Sequence, residues 1–289
     1  MENLESMLKK RILTAIISLP LLFAVLYFFP RPLVFLIFLL VALGTTLETA
    51  QILLPALRTK LGVPYKGSYN FWLAFCVLNS GILFSCLAFR MNGMELSIAI
   101  FSIVVLLLFA NFLSSSIDAA IANMLGTLFS VVYGALPWIS ALDLYEMGAQ
   151  ARFLFLLLGI VMANDSAAYF VGKYLGKHPL APQYSPKKTW EGALGGLAGG
   201  ILGAWLINVF FFSALGSWSF LAVAAVLTGV AGILGDLTES VLKRFGGVKD
   251  SGVLFPGHGG LLDRTDSIIF AAPVLWFVIY VSNLNLDLF

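Results

Sequence analysis

Charge is scarce in this sequence. Asp, Glu, Lys and Arg make up 11% of the 289 residues and apolar residues 60%, whereas a soluble globular domain carries roughly a quarter charged residues. A water-soluble domain with a charged shell is thereby excluded. Cysteine is nearly missing as well. Cys76 and Cys86 lie in one apolar run, which offers no disulfide framework and no cysteine-based zinc site. They read as small buried apolar side chains. Histidine occurs only at His178 and His258, too few for a zinc centre without cysteine partners. Internal repeats and low-complexity segments are lacking, and no stretch between the apolar runs has room for a folded soluble domain.

What is present is a series of long apolar runs, the signature of membrane-spanning helices. Spans are expected near 12–29, 33–53, 71–89, 96–113, 119–140, 152–172, 193–212, 217–234 and 268–284. The first continues into Pro30-Arg31-Pro32 without a small-residue cleavage site, so it reads as a retained span. The fifth is interrupted by Gly134 and Pro137, and the second contains Glu48. With nine spans, fourteen of the seventeen Lys and Arg residues fall on one side. Only Arg31, Arg90 and Arg152 fall on the other. The positive-inside rule then puts the N-terminus in the cytoplasm and the C-terminus outside. The expected fold is an all-α polytopic integral membrane protein of about nine transmembrane helices with its active site at the cytoplasmic face. It divides into N-terminal transmembrane helices (1–150) and a C-terminal catalytic membrane domain (151–289), with cytoplasmic pieces at 173–192 and 235–267.

Those two pieces are the most polar parts of the chain. Asp165 sits in an apolar run with Tyr169 and Gly172 at helical spacing, and a carboxylate there is expensive unless paired or coordinated. Further on, Ser185-Pro186-Lys187-Lys188-Thr189-Trp190-Glu191-Gly192 offers hydroxyls and ammonium groups together, which suits a phosphate group. The same lysines also suit plain anchoring to anionic lipid with Trp190 at the interface, and Thr189 and Glu191 suit helix capping.

In the second piece, a helix over 236–245 would put Asp236, Glu239, Ser240 and Lys243 on one face. A simple salt bridge accounts for Glu239 with Lys243, but less well for Asp236 beside the apolar run that closes at Leu234. Gly246-Gly247 ends that helix. Lys249 and Asp250 open a loop closing on Pro256-Gly257-His258-Gly259-Gly260. Its glycines permit close backbone approach, and successive N–H groups can cradle phosphate oxygens. It matches neither a Walker A motif nor a dinucleotide fingerprint. Asp263 and Asp266 flank Arg264 just before the last span. Two hard carboxylates, with phosphates supplying further oxygens, are a common Mg²⁺ arrangement.

These residues resemble the phosphatidate cytidylyltransferase family, also called CDP-diacylglycerol synthases, of bacterial type. The family signature is matched by Ser240, Lys243, Arg244, Lys249, Asp250, the Pro256–Gly260 run, Asp263, Arg264 and Asp266. Its upstream companion is matched by Asp165, Ala168, Tyr169 and Ser185 through Gly192. Lys10-Arg11-Ile12 and the buried Glu48 also look like the bacterial members. The resemblance implies transfer of a cytidylyl group from CTP to phosphatidic acid in phospholipid biosynthesis, at the cell (inner) membrane. The implied metal is Mg²⁺, with a second cation such as K⁺ as a companion. Metal ligation is expected from Asp236, Asp263 and Asp266. Catalytic roles are expected for these three with Lys243, Lys249 and Arg264. Substrate binding is expected from Ser185, Lys187, Lys188, Thr189, Ser240, Arg244, Asp250, His258, Gly259 and Gly260, with Asp165, Tyr169 and Glu239 as further polar site residues.

The partners so implied are CTP, phosphatidic acid and membrane lipid, and no nucleic acid. Small residues in 192–204 favour close helix approach, either within a subunit or across a homodimer. Two other readings stay open: a CTP-dependent enzyme acting on another lipid phosphate, and an ion transporter using the buried carboxylates.

Overall fold

The computed structural model describes residues 26–63, 69–89, 97, 101–102, 104–105, 108–109, 112–147, 151–212, 215–254 and 259–286. Among these are seven helices long and apolar enough to cross a membrane. They are α1 (Arg31–Lys60), α2 (Tyr69–Ala88), α3 (Ile117–Glu146), α4 (Arg152–Leu175), α5 (Trp190–Phe210), α6 (Trp218–Gly246) and α7 (Leu262–Leu286). The chain is an all-α polytopic membrane protein. Of the nine expected spans, 12–29 and 96–113 fall largely outside the described residues.

Local chemistry sets the helix ends. Pro32 lies in the first turn of α1, where its missing N–H costs nothing. Side-chain caps start three further helices: Ala119 N–H donates to Ser116 Oγ (3.2 Å), Gly192 N–H to Thr189 Oγ1 (3.1 Å) and Phe220 N–H to Ser217 Oγ (3.2 Å). Gly247, at φ 68°, closes α6 in the left-handed conformation that glycine adopts freely.

The expected break at Gly134 and Pro137 does not occur, and α3 runs through both. Helix α1 is pressed against α3 at that level, where a side chain on Gly134 would meet the backbone of Thr46. Thr45 Oγ1 lies 2.8 Å from the Gly134 carbonyl and accepts from Trp138 Nε1 at 3.1 Å. A weakened point in the helix is thus braced by its neighbour.

Two apolar cores follow. The larger is built mainly from α1, α3, α4, α6 and α7 and includes Leu142, Leu156, Ile160 and Leu275. The smaller joins α1, α2 and α3 around Leu54, Trp72, Cys76 and Leu83. Cys76 is buried there, as its apolar run suggests, whereas Cys86, expected to be buried too, is only half-buried.

Small residues carry the α4–α5 seam. A Cβ at Gly199 or Gly203 would strike the backbone of Ala163 or Gly159, so the two helices meet almost backbone to backbone. The stretch 192–204 thus makes its close approach within the subunit.

Two departures from the expected layout concern the polar pieces. The connection between α4 and α5 is not wholly irregular: β1 (Pro179–Ala181) pairs antiparallel with β2 (Ser185–Thr189). Glu191, on the first turn of α5, ties the base of this hairpin by accepting from the backbone N–H groups of Lys177 (3.1 Å) and His178 (3.2 Å). It also meets His178 Nδ1 at 2.5 Å. The second difference is that the expected span at 217–234 and the helix over 236–245 form one continuous helix, α6, to Gly246, and that α7 begins at Leu262 instead of 268. Most of the polar piece 235–267 is therefore helix, and the acids it carries are fixed on rigid elements.

Candidate functional site

The polar ends of α4, α6 and α7 converge with the hairpin around a cavity of about 590 Å³. Its wall carries Asp165 and Tyr169 from α4, Lys187, Lys188 and Thr189 from β2, Asp236 from α6, and Asp263 and Asp266 from α7.

Three carboxylates gather at one point. Asp236 and Glu239 are one helical turn apart on α6, and Asp266 faces them from α7. One oxygen of each lies within 4.8 Å of the others. The approach depends on Gly235, where any Cβ would collide with the Asp266 carbonyl oxygen. Lys188 reaches across from the hairpin to form an ion pair with Asp236. Asp266 is steadied by the N–H of Ser267 (2.8 Å). Glu239 is 1% exposed, and its Oε1 has no hydrogen-bond partner among the described residues. A buried carboxylate oxygen without a donor is costly, and here it belongs to a trio of hard oxygen ligands. This donor set can hold a metal ion, and its oxygen-only chemistry suits a hard divalent cation.

Asp263 occupies a different position. Although it lines the cavity, its oxygens are filled by protein donors. Lys243 Nζ reaches Oδ1 at 2.7 Å, and Oδ2 accepts from the N–H groups of Ser251 and Gly260, both at 2.8 Å. Ser251 Oγ lies 2.9 Å from the same Oδ2. The three-carboxylate cluster therefore pairs Asp236 and Asp266 with Glu239, while Asp263 is the hub of the glycine loop. Lys243 also meets Glu239 Oε2 at 2.7 Å and so bridges hub and cluster. Gly259, at φ 85°, and Gly260 pass close to the hub, where a Cβ on Gly259 would enter the Asp263 carboxylate.

The remaining residues singled out in the sequence scatter around this centre. Ser185 begins β2, outside the cavity wall, and Thr189 is committed to capping α5. Arg244 Nε points to the Tyr184 carbonyl at the hairpin turn, at 3.4 Å. Ser240 is half-buried on α6; Lys249, Asp250 and Arg264 are exposed. His258 lies outside the described residues. Sequence reasoning missed Asn164, which is 1% exposed and lines the cavity with an Oδ1 that has no hydrogen-bond partner among the described residues. Its signal was a second polar residue beside Asp165 in an apolar run. Ser251 was also missed, because nothing local marks a serine whose partners are distant in sequence.

Five carboxylates (Asp165, Asp236, Glu239, Asp263 and Asp266) thus face four ammonium groups (Lys173, Lys187, Lys188 and Lys243) in and just beneath the cavity. The imbalance favours cations, while the lysines on the hairpin favour an anion in the same space. Fold and site together define a helical membrane protein with a cation-and-anion pocket built at one end of its helices.

The chain belongs to the cytidylyltransferase family, whose model matches residues 9–282. A phosphatidate cytidylyltransferase of Synechocystis sp. is 46% identical over 128 residues, which is 43% of this chain and 42% of that protein. One of Brucella suis is 47% identical over 120 residues, 42% of this chain and 44% of that protein. One of Staphylococcus epidermidis is 41% identical over 162 residues, 56% of this chain and 59% of that protein. In these alignments the chain spans about half the length of the curated relatives it matches.

Proposed function

We propose that this protein transfers a cytidylyl group from CTP to phosphatidic acid, forming CDP-diacylglycerol and pyrophosphate. The observation that carries the reading is the meeting, in one cavity, of the Asp236–Glu239–Asp266 cluster and the lysine-bearing hairpin. Family membership and the names of the relatives support it.

The chemistry asks little of a general base. A phosphatidate phosphomonoester, with a second pKa near 6, is largely dianionic at neutral pH. One of its oxygens attacks the α-phosphorus of CTP. A new P–O bond forms as the bond to the β-phosphate bridging oxygen breaks, and that electron pair leaves with pyrophosphate. The obstacle is repulsion between two polyanions, which preorganised cationic groups relieve. Lys187, exposed at the cavity wall, and Lys188, already beside Asp236, are placed to receive phosphate oxygens. Asp236, Glu239 and Asp266 would hold Mg²⁺, which when bound supplies positive charge for the reacting phosphates. A second cation such as K⁺ has further oxygen donors close by in Asp165 and Asn164. Lys243 keeps Glu239 and Asp263 apart from direct repulsion. The described ends of the glycine loop are held on Asp263 through the N–H groups of Ser251 and Gly260. Lys249, Arg244 and Arg264, exposed outside the cavity wall, would engage the CTP phosphates.

In this reading residues 1–150 form the supporting transmembrane part and 151–289 the catalytic part. There are about nine spans with the N-terminus in the cytoplasm, and the cavity opens at the cytoplasmic face of the cell membrane. The acyl chains then stay in hydrocarbon while the head group enters the cavity. The test is pyrophosphate release by purified protein in detergent with CTP and Mg²⁺, with and without phosphatidic acid, and with ATP replacing CTP. Release only with CTP and phosphatidic acid is expected. Release without lipid, or none at all from folded protein, would overturn the reading.

A further inference from the structure

Glu48 belongs to α1, in the half of the chain whose described residues supply nothing to the cavity wall, yet its carboxylate ends in the glycine loop. It is 7% exposed. Its Oε1 accepts from the N–H of Leu261 at 2.9 Å. Its Oε2 accepts from the N–H of Leu262 at 2.8 Å and from Ser251 Oγ at 2.9 Å. Leu261 and Leu262 sit at the start of α7, where N–H groups have no partner inside the helix. A carboxylate from another helix therefore caps α7, with the helix dipole favouring its charge.

The loop is shaped to receive it. A Cβ on Gly252 would strike Glu48 Oε1, and one on Gly260 would strike both Glu48 Oε2 and Ser251 Oγ. Ser251, 5% exposed, stands between Glu48 and Asp263 at 2.9 Å from each. A hydroxyl has one proton, so Ser251 can donate to only one of the two carboxylates at a time. From Asp263 the chain of contacts continues through Lys243 Nζ (2.7 Å) to Glu239 (2.7 Å), a member of the three-carboxylate cluster. An unbroken polar path thus joins α1 to the cluster.

We infer that Glu48 is a positioning residue for the reaction: it fixes the start of α7 and the glycine loop, and through Ser251 it sets the placement of Asp263 and Lys243. The inference rests on the proposed activity for its kinetic consequence and on geometry alone for its structural one. Glu48 is not part of the cavity wall. Its loss should therefore impair the organised turnover state more than the encounter with CTP.

The experiment compares Glu48→Gln, Glu48→Asp and Glu48→Ala in the full chain in detergent. Glutamine keeps the size but offers one acceptor oxygen for three donors. Its kcat should fall by about 10–100-fold with KM for CTP within about threefold, the scale seen when the supports of a metal site are removed. Aspartate, still anionic, should retain more turnover than glutamine or alanine. Wild-type kcat in Glu48→Gln, or a loss confined to KM, overturns the inference. Hydrogen exchange supplies a readout independent of activity. In Glu48→Ala, peptides covering 251–254 and 259–263 should exchange faster while those of α2 are unchanged. Unchanged exchange in the loop overturns the inference, as does faster exchange in every helix, which would make Glu48 a general fold residue. If the unsubstituted chain shows no CTP-dependent turnover, the proposed activity fails and the exchange result alone decides the role of Glu48.

Discussion

Lys243→Met separates the electrostatics of the site from its chemistry. Lys243 Nζ lies 2.7 Å from both Glu239 Oε2 and Asp263 Oδ1. The side chains of the three residues are 17%, 1% and 10% exposed. Methionine keeps most of the aliphatic stem, so packing changes little and the loss is that of the ammonium. Breaking a buried pair by removing one partner costs about 3–5 kcal/mol, since the other charge stays buried without compensation. One ammonium serves both carboxylates, so the figure is not doubled. Asp263 keeps its backbone donors, whereas Glu239 keeps none among the described contacts, and most of the cost should fall on Glu239. For chains of 150–250 residues each kcal/mol moves Tm by about 2–4 °C, so a drop of at least about 5 °C is expected in a detergent melt followed by tryptophan fluorescence. The double variant Lys243→Met/Glu239→Gln should regain a large part of that loss, because the stranded charge is gone. A single variant melting within about 1 °C of the parent would refute the argument, as would a double variant that is simply the sum of its parts.

Three further outcomes follow from the same geometry. Asp266→Asn removes one of three carboxylates within 4.8 Å. It should abolish Mg²⁺-induced thermal stabilisation and turnover while leaving expression and membrane insertion intact; a preserved Mg²⁺ shift in the melt would contradict it. Lys187→Ala leaves the cluster untouched and should raise the apparent KM for phosphatidic acid more than that for CTP, checked by varying each substrate at saturating levels of the other. Gly235→Ala places a methyl group against the Asp266 carbonyl, forcing α6 and α7 apart. The cost is that of overpacking, about 1–3 kcal/mol, and a lower melting temperature together with weakened divalent stabilisation should reveal it.

How far the sequence could be read depended on how local the signal was. Apolar runs announced the spans because hydropathy is additive along a helix, Asp165 and Asp236 stood out because carboxylates in or beside such runs are costly, and Asp266 stood out with Asp263 as a pair of hard carboxylates. Hydropathy is silent once a helix leaves the apolar zone, which is why the span at 217–234 and the helix over 236–245 read as separate pieces although α6 runs through both to Gly246. The hairpin at 179–189 escaped because a three-residue strand carrying a proline neighbour has no period to detect. Glu239 looked like half of an i,i+4 salt bridge with Lys243, and that bridge exists. Its second role depends on Asp266, supplied by another helix. The link from Glu48 to Ser251 spans 203 positions, and no local pattern encodes such a partner.

The glycine seam between α4 and α5 bears on how the cavity can change size. Helices in backbone contact have no side chains to reshuffle, so α4, the hairpin and α5 form one stiff arm. Four of the five acids stand on a second arm, made of α6 and α7 and closed by the glycine fit at Gly235, while Asp165 stands on the first. At the mouth of the pocket the arms are held by the Lys188–Asp236 pair and by Arg244 at the Tyr184 carbonyl. Both fastenings are polar and can be traded for bonds to an incoming ion. The hairpin lysines and the three-carboxylate cluster therefore belong to separate arms, and the charge that joins them at Lys188 and Asp236 lies where an ion would enter.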